Sequence, residues 1–428
     1  MKSLVHPHYF KQLFVRLTWT HRMFILMMIV FFAIYWSILR LTDNAPLKDK
    51  AAQDEKISLI KWPACDKIIA GEISDELLSS LSFGYSPAKP NYTSCNGLTR
   101  FNGRHPWVSV EEENFPLAYI ITTYENYRRL ARLLRLIYRR HNIYCVHIDA
   151  TAPESFASRV HQLVNCYGSN VMLVPPSERV NVIWGEFSVL EANLVCAEML
   201  VRSKKIQWQY VLNVNEKELP LRTNWEMVKA MKALSGSNLV HYQAGNWTKR
   251  IPKTKLPFNV TWYKGSFLVA LRRDFVVFML RNPKALAILD ALQSSRGRIA
   301  VPDEMFFSTL AYNPHLGAPG ACLYRTRRIS TDPRTMFLIR YVSWKDTKCH
   351  TKRWRNEVCL LGLKDLPMMI KAPQLFANKF TPNVQPEAYD CMEYWLIRKI
   401  IREQNTHSLD RDFNDTVFAQ LYCSTFHT

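Results

Sequence analysis

Four short apolar runs, at residues 117–122, Ile143–Ile148, 171–174 and 210–214, alternate with amphipathic segments across residues 116–222. Tyr127, Leu130, Leu134, Ile137 and Tyr138 recur at helical spacing, with Arg128, Arg132, Arg135 and Arg139 on the other face. Phe156, Val160, Leu163 and Val164 repeat the pattern, and Val189, Ala192, Cys196, Met199 and Leu200 repeat it again. Strand-length apolar runs between helical patterns predict βαβ units and a parallel sheet. Such a sheet opens a crevice at the carboxyl ends of its strands, where ligands bind. The expectation is an α/β, Rossmann-like nucleotide-binding core.

The turn after the first run reads Thr122-Thr123-Tyr124-Glu125-Asn126 and contains no glycine. Neither a Gly-x-Gly-x-x-Gly turn nor a Walker A loop is present, which argues against an NAD oxidoreductase or a phosphate-cradling ATPase. A diphosphate bound here needs a metal or basic side chains. Glu216 and Glu218, after the fourth run, could ligate a divalent cation or belong to an ordinary exposed turn around Lys217. Asp410 and Asp412 share that spacing but read as surface. No Gly-x-Ser-x-Gly elbow and no His-Glu-x-x-His occurs, so serine hydrolase and zinc protease have no support. A two-carboxylate hydrolase stays open.

Compartment follows from the N-terminus. Residues 23–39 are mostly apolar and uncharged, and Lys2, Lys11, Arg16 and Arg22 precede them without an acidic residue. Length and the positive-inside rule predict a signal-anchor at 23–39, a cytoplasmic tail at 1–22, a polar stem at 40–61 and a lumenal or extracellular body at 62–428. The bulky Tyr35-Trp36-Ser37-Ile38-Leu39 end offers no cleavage site. Asn-x-Thr sequons at Asn91, Asn246, Asn259 and Asn414 agree with that topology, and the 10 cysteines read as disulfides in an oxidising compartment. A net charge of +20 suggests a membrane surface or a phosphate-bearing substrate. Nucleic acid, absent from the lumen, drops out as a partner.

Further along, helices are predicted at 225–234, 274–281 and 283–292, and a strand at 267–271. Another helix begins at Pro302, with Asp303 and Glu304 in its first turn. Residues 62–114 read as irregular and 314–372 as loop-rich, and 392–402 is amphipathic.

Six motifs then stand in order: Pro116-Leu117-Ala118-Tyr119; Tyr144-Cys145-Val146-His147-Ile148-Asp149; Glu218-Leu219-Pro220-Leu221; Lys264-Gly265-Ser266-Phe267; Pro302-Asp303-Glu304; and Leu375-Phe376-Ala377-Asn378-Lys379-Phe380. Together they resemble the β-1,6-N-acetylglucosaminyltransferases that make core 2 and I branches, distant relatives of the peptide-O-xylosyltransferases. The resemblance covers roughly residues 65–391. It implies an inverting transferase of the GT-A type in the Golgi membrane, using a UDP-sugar with no metal and no other cofactor, and an O-glycan acceptor on glycoproteins. A homodimer is compatible with it.

Residue by residue, the resemblance implies that Glu304 is the catalytic base, a role that needs one carboxylate within reach of the acceptor hydroxyl. Asp149 matches the residue near the uridine, and Thr122, Tyr124 and Trp184 match nearby nucleotide-pocket positions. Arg355 and Lys379 match the two cations that neutralise the departing diphosphate in place of a metal, a task that Arg353 could share. Lys249, Arg250 and Trp344 fall where the family contacts its acceptor. Asp346 stands where core 2 enzymes carry Tyr, and Glu218 where the family has Asp. The implied disulfides join Cys65 to Cys391, Cys95 to Cys166, Cys145 to Cys196 and Cys349 to Cys359, leaving Cys322 and Cys423 able to pair. The expected reaction moves a sugar, N-acetylglucosamine by the family norm and otherwise glucose or xylose, to the 6-hydroxyl of GalNAc or Gal. A non-catalytic lumenal glycan-binding protein is the runner-up, against which Glu304 and Lys379 together argue.

Overall fold

The computed structural model describes residues 27–31, 61–81, 94–101, 103–243, 246–323, 332–345, 347–381 and 383–428. The chain divides into two units, Met1–Ser58 and Leu59–Thr428. In the first, the described residues 27–31 are helical and exposed. Most of the predicted anchor, all of the stem but Lys61, Asn91 and Asp346 lie outside the described residues. Among those described, no helix is long and apolar enough to cross a membrane.

The second unit is built on the predicted sheet. Strands β1 (Leu117–Thr123), β2 (Ile143–Ile148), β3 (Val171–Leu173) and β4 (Tyr210–Asn215) form at the four apolar runs. With β8 (Ala270–Arg272) they make a sheet of order β3-β2-β1-β4-β8, parallel except for β8. Side chains alternate between the faces of a strand, and both faces here are apolar, as a parallel sheet covered on both sides requires. Leu117, Tyr119 and Ile121 enter one core with Leu130, Leu134, Val160 and Met227. Ala118 and Ile120 enter the other with Leu190, Phe275, Ile288 and Met305. Helices α1 (Tyr127–Ile137), α2 (Glu154–Val164) and α3 (Asn224–Ala233) thus cover one face. Helices α4 (Ser188–Arg202), α5 (Arg273–Arg281), α6 (Pro283–Gln293) and α7 (Asp303–Ala311) cover the other.

One expectation is corrected. Residues 62–114 are not uniformly irregular, because short helices form at Pro63–Ala70, Asp75–Leu81, Cys95–Thr99 and Val110–Glu113. On the arginine face of α1, Arg128 is exposed, while α8 (Pro386–Thr406) meets the other two, with Arg135 on Glu393 at 2.7 Å and Arg132 on Asp390 at 2.5 Å. The implied disulfides are all present, and Cys322–Cys423 is a fifth. Cys145–Cys196 ties β2 to α4 beneath the sheet. The sequon residues Asn246, Asn259 and Asn414 are exposed.

Candidate active site

The site lies where the sheet topology opens. β1 has β2 on one side and β4 on the other, so the connections leaving β1 and β4 part at their carboxyl ends. Tyr124 and Glu125 leave β1 there, and Glu216 to Glu218 leave β4 before β5 (Leu219–Pro220). β5 pairs with β12 (Phe376–Ala377), which carries Lys379 just beyond its end and also pairs with β9 (Arg340–Tyr341).

A cleft of about 410 Å³ opens beside this junction, walled by Arg129, Lys217, Arg353, Arg355, Lys379 and Trp354. No carboxylate stands among the described residues that line it. Three backbone hydrogen bonds fix the segments that bear these cations: Leu360 N donates to Arg353 O at 2.8 Å, Leu361 N to Lys379 O at 2.9 Å and Phe380 N to Lys217 O at 3.0 Å. Arg355 sits on the hairpin of β10 (Trp354–Arg355) and β11 (Val358–Cys359), closed by the Cys349–Cys359 disulfide. Asn356 and Glu357 both have positive φ, as a two-residue hairpin turn of the primed kind requires. Burial, and then the charges of Lys217 and Arg355, push the Lys379 ammonium down to about 8.

The Glu216/Glu218 turn is not arranged as a metal clamp. Arg340 donates to both Glu218 oxygens at 3.0 Å, and the pair is fully buried. Glu216 is buried too, its carboxyl pushed up to about 7 by burial against the opposing pull of Arg129, 3.7 Å away.

A second cluster surrounds Glu304 in the first turn of α7. Glu304 accepts from Arg250 at 2.6 Å and lies 3.2 Å from the Lys264 ammonium. Trp247 stacks over both cations, 5.5 Å from Arg250 and 4.9 Å from Lys264. Lys264 is brought in by β7 (Lys264–Gly265), which pairs with β6 (Tyr242–Gln243). A Cβ at Gly265 would stand 2.0 Å from the His241 carbonyl oxygen and 2.8 Å from Ser308 Cβ, so only glycine lets this strand lie against α7. Neighbouring Asp303 is buried, and desolvation followed by repulsion from Glu304 raises its carboxyl to about 7. The chain enters α7 through Val301, held at φ 58°, a strained conformation for a β-branched residue. Its N–H donates to Gly185 O at 2.8 Å, docking the Trp184 loop on this entry.

The remaining expected residues are distributed between and around these clusters. Arg355 and Lys379 meet in the cleft with Arg353, and Arg250 meets Glu304, with Lys249 exposed on the same turn. Tyr124, 39% exposed, reaches the cleft through Lys217, whose ammonium lies 4.6 Å over its ring and donates to its hydroxyl. Thr122 stands at the carboxyl end of β1, in register with His147 and Asn215. Asp149 is engaged by the chain itself: Oδ1 accepts from Thr151 N and Oγ1, and Oδ2 accepts from Val182 N at 2.9 Å. It thereby suspends the loop that holds Trp184, which is 72% exposed. Trp344, 47% exposed, bridges Val358 of the Arg355 hairpin through its backbone. Sequence reasoning did not assign Arg129, Lys217, Trp247, Lys264 or Trp354. Lys217 had one available signal, its place directly after a strand at the sheet's carboxyl edge. Lys264 had another, its place inside a quoted motif.

Comparison with known proteins bears on this geometry. The Core-2/I-Branching enzyme family matches residues 117–370. The rat β-1,3-galactosyl-O-glycosyl-glycoprotein β-1,6-N-acetylglucosaminyltransferase 3 is 28% identical over 84% of this chain and 89% of its own. The N-acetyllactosaminide β-1,6-N-acetylglucosaminyl-transferases of mouse and human are 34% and 33% identical, over 69% and 70% of this chain and 76% of each of theirs. With the α/β sheet, the six ordered motifs and these relatives in place, the chain belongs to the Core-2/I-branching enzyme family and is a glycosyltransferase.

Proposed function

We propose that this enzyme transfers N-acetylglucosamine from its UDP-sugar to the 6-hydroxyl of a GalNAc or Gal residue of a protein O-glycan, forming a branch. The observation that carries the reading is the cleft: five cations, no carboxylate among its described lining residues, at the carboxyl edge of a parallel sheet. Arg355 and Lys379 hold the diphosphate there. The acceptor oxygen attacks the anomeric carbon as its proton passes to Glu304, the bond to the β-phosphate oxygen breaks, and the configuration inverts. Charge developing on the diphosphate meets cations whose chain segments are already held by backbone hydrogen bonds and by the β10–β11 hairpin, which limits the reorganisation that accompanies the step. Residues fit this reaction without a metal, because Glu218 is committed to Arg340 and side-chain cations face the diphosphate. Relatives named as β-1,6-N-acetylglucosaminyltransferases support the donor and the linkage. Five disulfides support folding in an oxidising compartment, consistent with a lumenal domain anchored in the Golgi membrane.

The test is the full-length protein in detergent, incubated with UDP-N-acetylglucosamine, UDP-glucose or UDP-xylose and with O-glycans carrying GalNAc or Gal. Product from the first donor that survives EDTA is expected. Glu304→Gln should reduce turnover by roughly 10²- to 10⁴-fold, the usual worth of a positioned base, with UDP binding retained. Glycan binding without turnover on any donor would leave the non-catalytic reading in its place.

A further inference from the structure

Lys217 is the residue that an ordinary exposed turn would leave in solvent, yet its side chain is only 14% exposed. It stands at the point where the sheet topology divides, between Tyr124 from the end of β1 and the Lys379 segment beyond β12. Its backbone carbonyl receives the Phe380 N–H at 3.0 Å, so its position relative to Lys379 is set by main chain. The Tyr124 ring and hydroxyl set the direction of the ammonium.

Its charge is only partly balanced by the protein. The nearest carboxylate oxygen, Glu125 Oε1, is 3.4 Å away and is the same atom that takes the Arg129 guanidinium at 2.6 Å. Glu125 is therefore drawn first to Arg129, whose other carboxylate neighbour, Glu216, is 3.7 Å off. Arg353, Arg355 and Lys379 have no ion pair among the described residues. The downward pull of Lys217 on Lys379 is the expected result of two ammonium groups facing one space without a carboxylate between them. A structural lysine would be placed to reduce that repulsion. This one is placed to share an anion.

We propose that Lys217 is a third diphosphate-binding cation, gripping the same phosphate oxygens as Arg355 and Lys379 and held in aim by Tyr124 and Glu125. It would couple the nucleotide-pocket position that the resemblance gives Tyr124 to the charged cleft. The proposal rests on the reading of that cleft as the diphosphate site. Glu125 and Arg129 are positioning residues in this arrangement, acting through Lys217 rather than on the ligand.

The experiment measures binding of UDP, inorganic pyrophosphate and uridine to the full-length protein by calorimetry, with Lys217→Met, Lys217→Gln and Lys217→Arg beside Lys379→Met and Arg355→Ala. Removing the charge should weaken UDP and pyrophosphate by about tenfold and leave uridine unchanged, as loss of one charge-assisted contact predicts. The donor KM should rise by a similar factor in Lys217→Met, and Lys217→Arg should return to within about threefold of wild type. The glutamine variant keeps a donor for Tyr124, so a loss there separates missing charge from a disturbed turn. If one neutral variant does not fold, the other and the arginine variant decide the matter. UDP affinity unchanged in the neutral Lys217 variants but weakened in Lys379→Met and Arg355→Ala would overturn the proposal alone. UDP affinity unchanged in all of them would overturn the diphosphate reading of the cleft as well.

Discussion

Lys379 shows how a single side chain joins electrostatics to activity. Its ammonium sits at about 8 because burial disfavours the charge and because Lys217 and Arg355 repel it, while Glu218, itself held by Arg340, gives a smaller opposing pull. The protonated form is the one that attracts a diphosphate. In the free protein that form is nearly complete at pH 7 and mostly lost by pH 9, so donor affinity should fall as pH rises through 8. One proton limits the effect to about tenfold across that interval. UDP titrated at pH 6, 7, 8 and 9 in wild type and Lys379→Arg checks the sign: the arginine variant, charged throughout, should lose the alkaline fall. An equal fall in both would place the titrating group elsewhere. Glu304 illustrates a different residue-scale point, since the proposed base and the proposed acceptor contact Arg250 form one ion pair. An acceptor hydroxyl must share that carboxylate with Arg250 and Lys264. Arg250→Ala should therefore raise the acceptor KM by about tenfold while UDP affinity stays put, measured with the same glycan at fixed donor.

At the scale of elements, the short strands away from the main sheet decide where the cations point. Arg340 on β9 reaches across the β5-β12-β9 sheet to Glu218, donates to Asn213 O at 2.6 Å, and lies 4.4 Å over the Phe376 ring. The turn that presents Lys217 is thereby tied to the end of β4 and to β12. Replacing Arg340 with Met leaves a buried carboxylate without its partner and should cost roughly 3–5 kcal/mol, read from the denaturant midpoint. Changing Glu218 to Met as well should recover much of the loss, although UDP binding would still suffer from a looser turn. This contact also marks the limit of what the sequence discloses. The four runs from Leu117 to Asn215 were legible because burial on both faces makes them continuous and apolar, and Pro302 was legible as the start of a helix. Glu218 was open to a metal reading because Arg340 lies 122 positions away, and no local pattern announces that pairing. Arg132 and Arg135 looked like a polar face for the same reason, since Asp390 and Glu393 that meet them arrive 258 residues later. Glu304, Arg355 and Lys379 were found by resemblance to a family; spacing alone would not have joined residues from α7, β10 and the end of β12.

At the scale of the whole catalytic body, its first helix, Pro63–Ala70, is held by α8 from near the other end of the chain. Cys65 on Pro63–Ala70 pairs with Cys391 on α8 across 326 positions, Trp62 N donates to Tyr394 Oη at 3.0 Å, and Asp66 pairs with Arg398. A helix of 8 residues is marginal in water by itself, so its order depends on these contacts. Closing so long a loop removes much freedom from the unfolded chain, and losing a native disulfide of this kind typically costs about 2–5 kcal/mol. None of residues 63–70 lines the cleft or touches Glu304. Stability and chemistry should accordingly separate in Cys65→Ala/Cys391→Ala: a melting temperature lowered by several degrees and faster proteolysis near residues 61–81, with turnover at low temperature within about twofold of wild type. The double variant avoids a stray thiol that could pair wrongly with another cysteine during folding. Unchanged melting would mean that packing of Trp62 and Ile68 on α8 suffices without the bond. A loss of turnover at temperatures where the variant remains folded would mean that the Cys65–Cys391 link reaches the site through α1, whose Arg132 and Arg135 rest on the same helix as Cys391 and whose Arg129 borders the cleft.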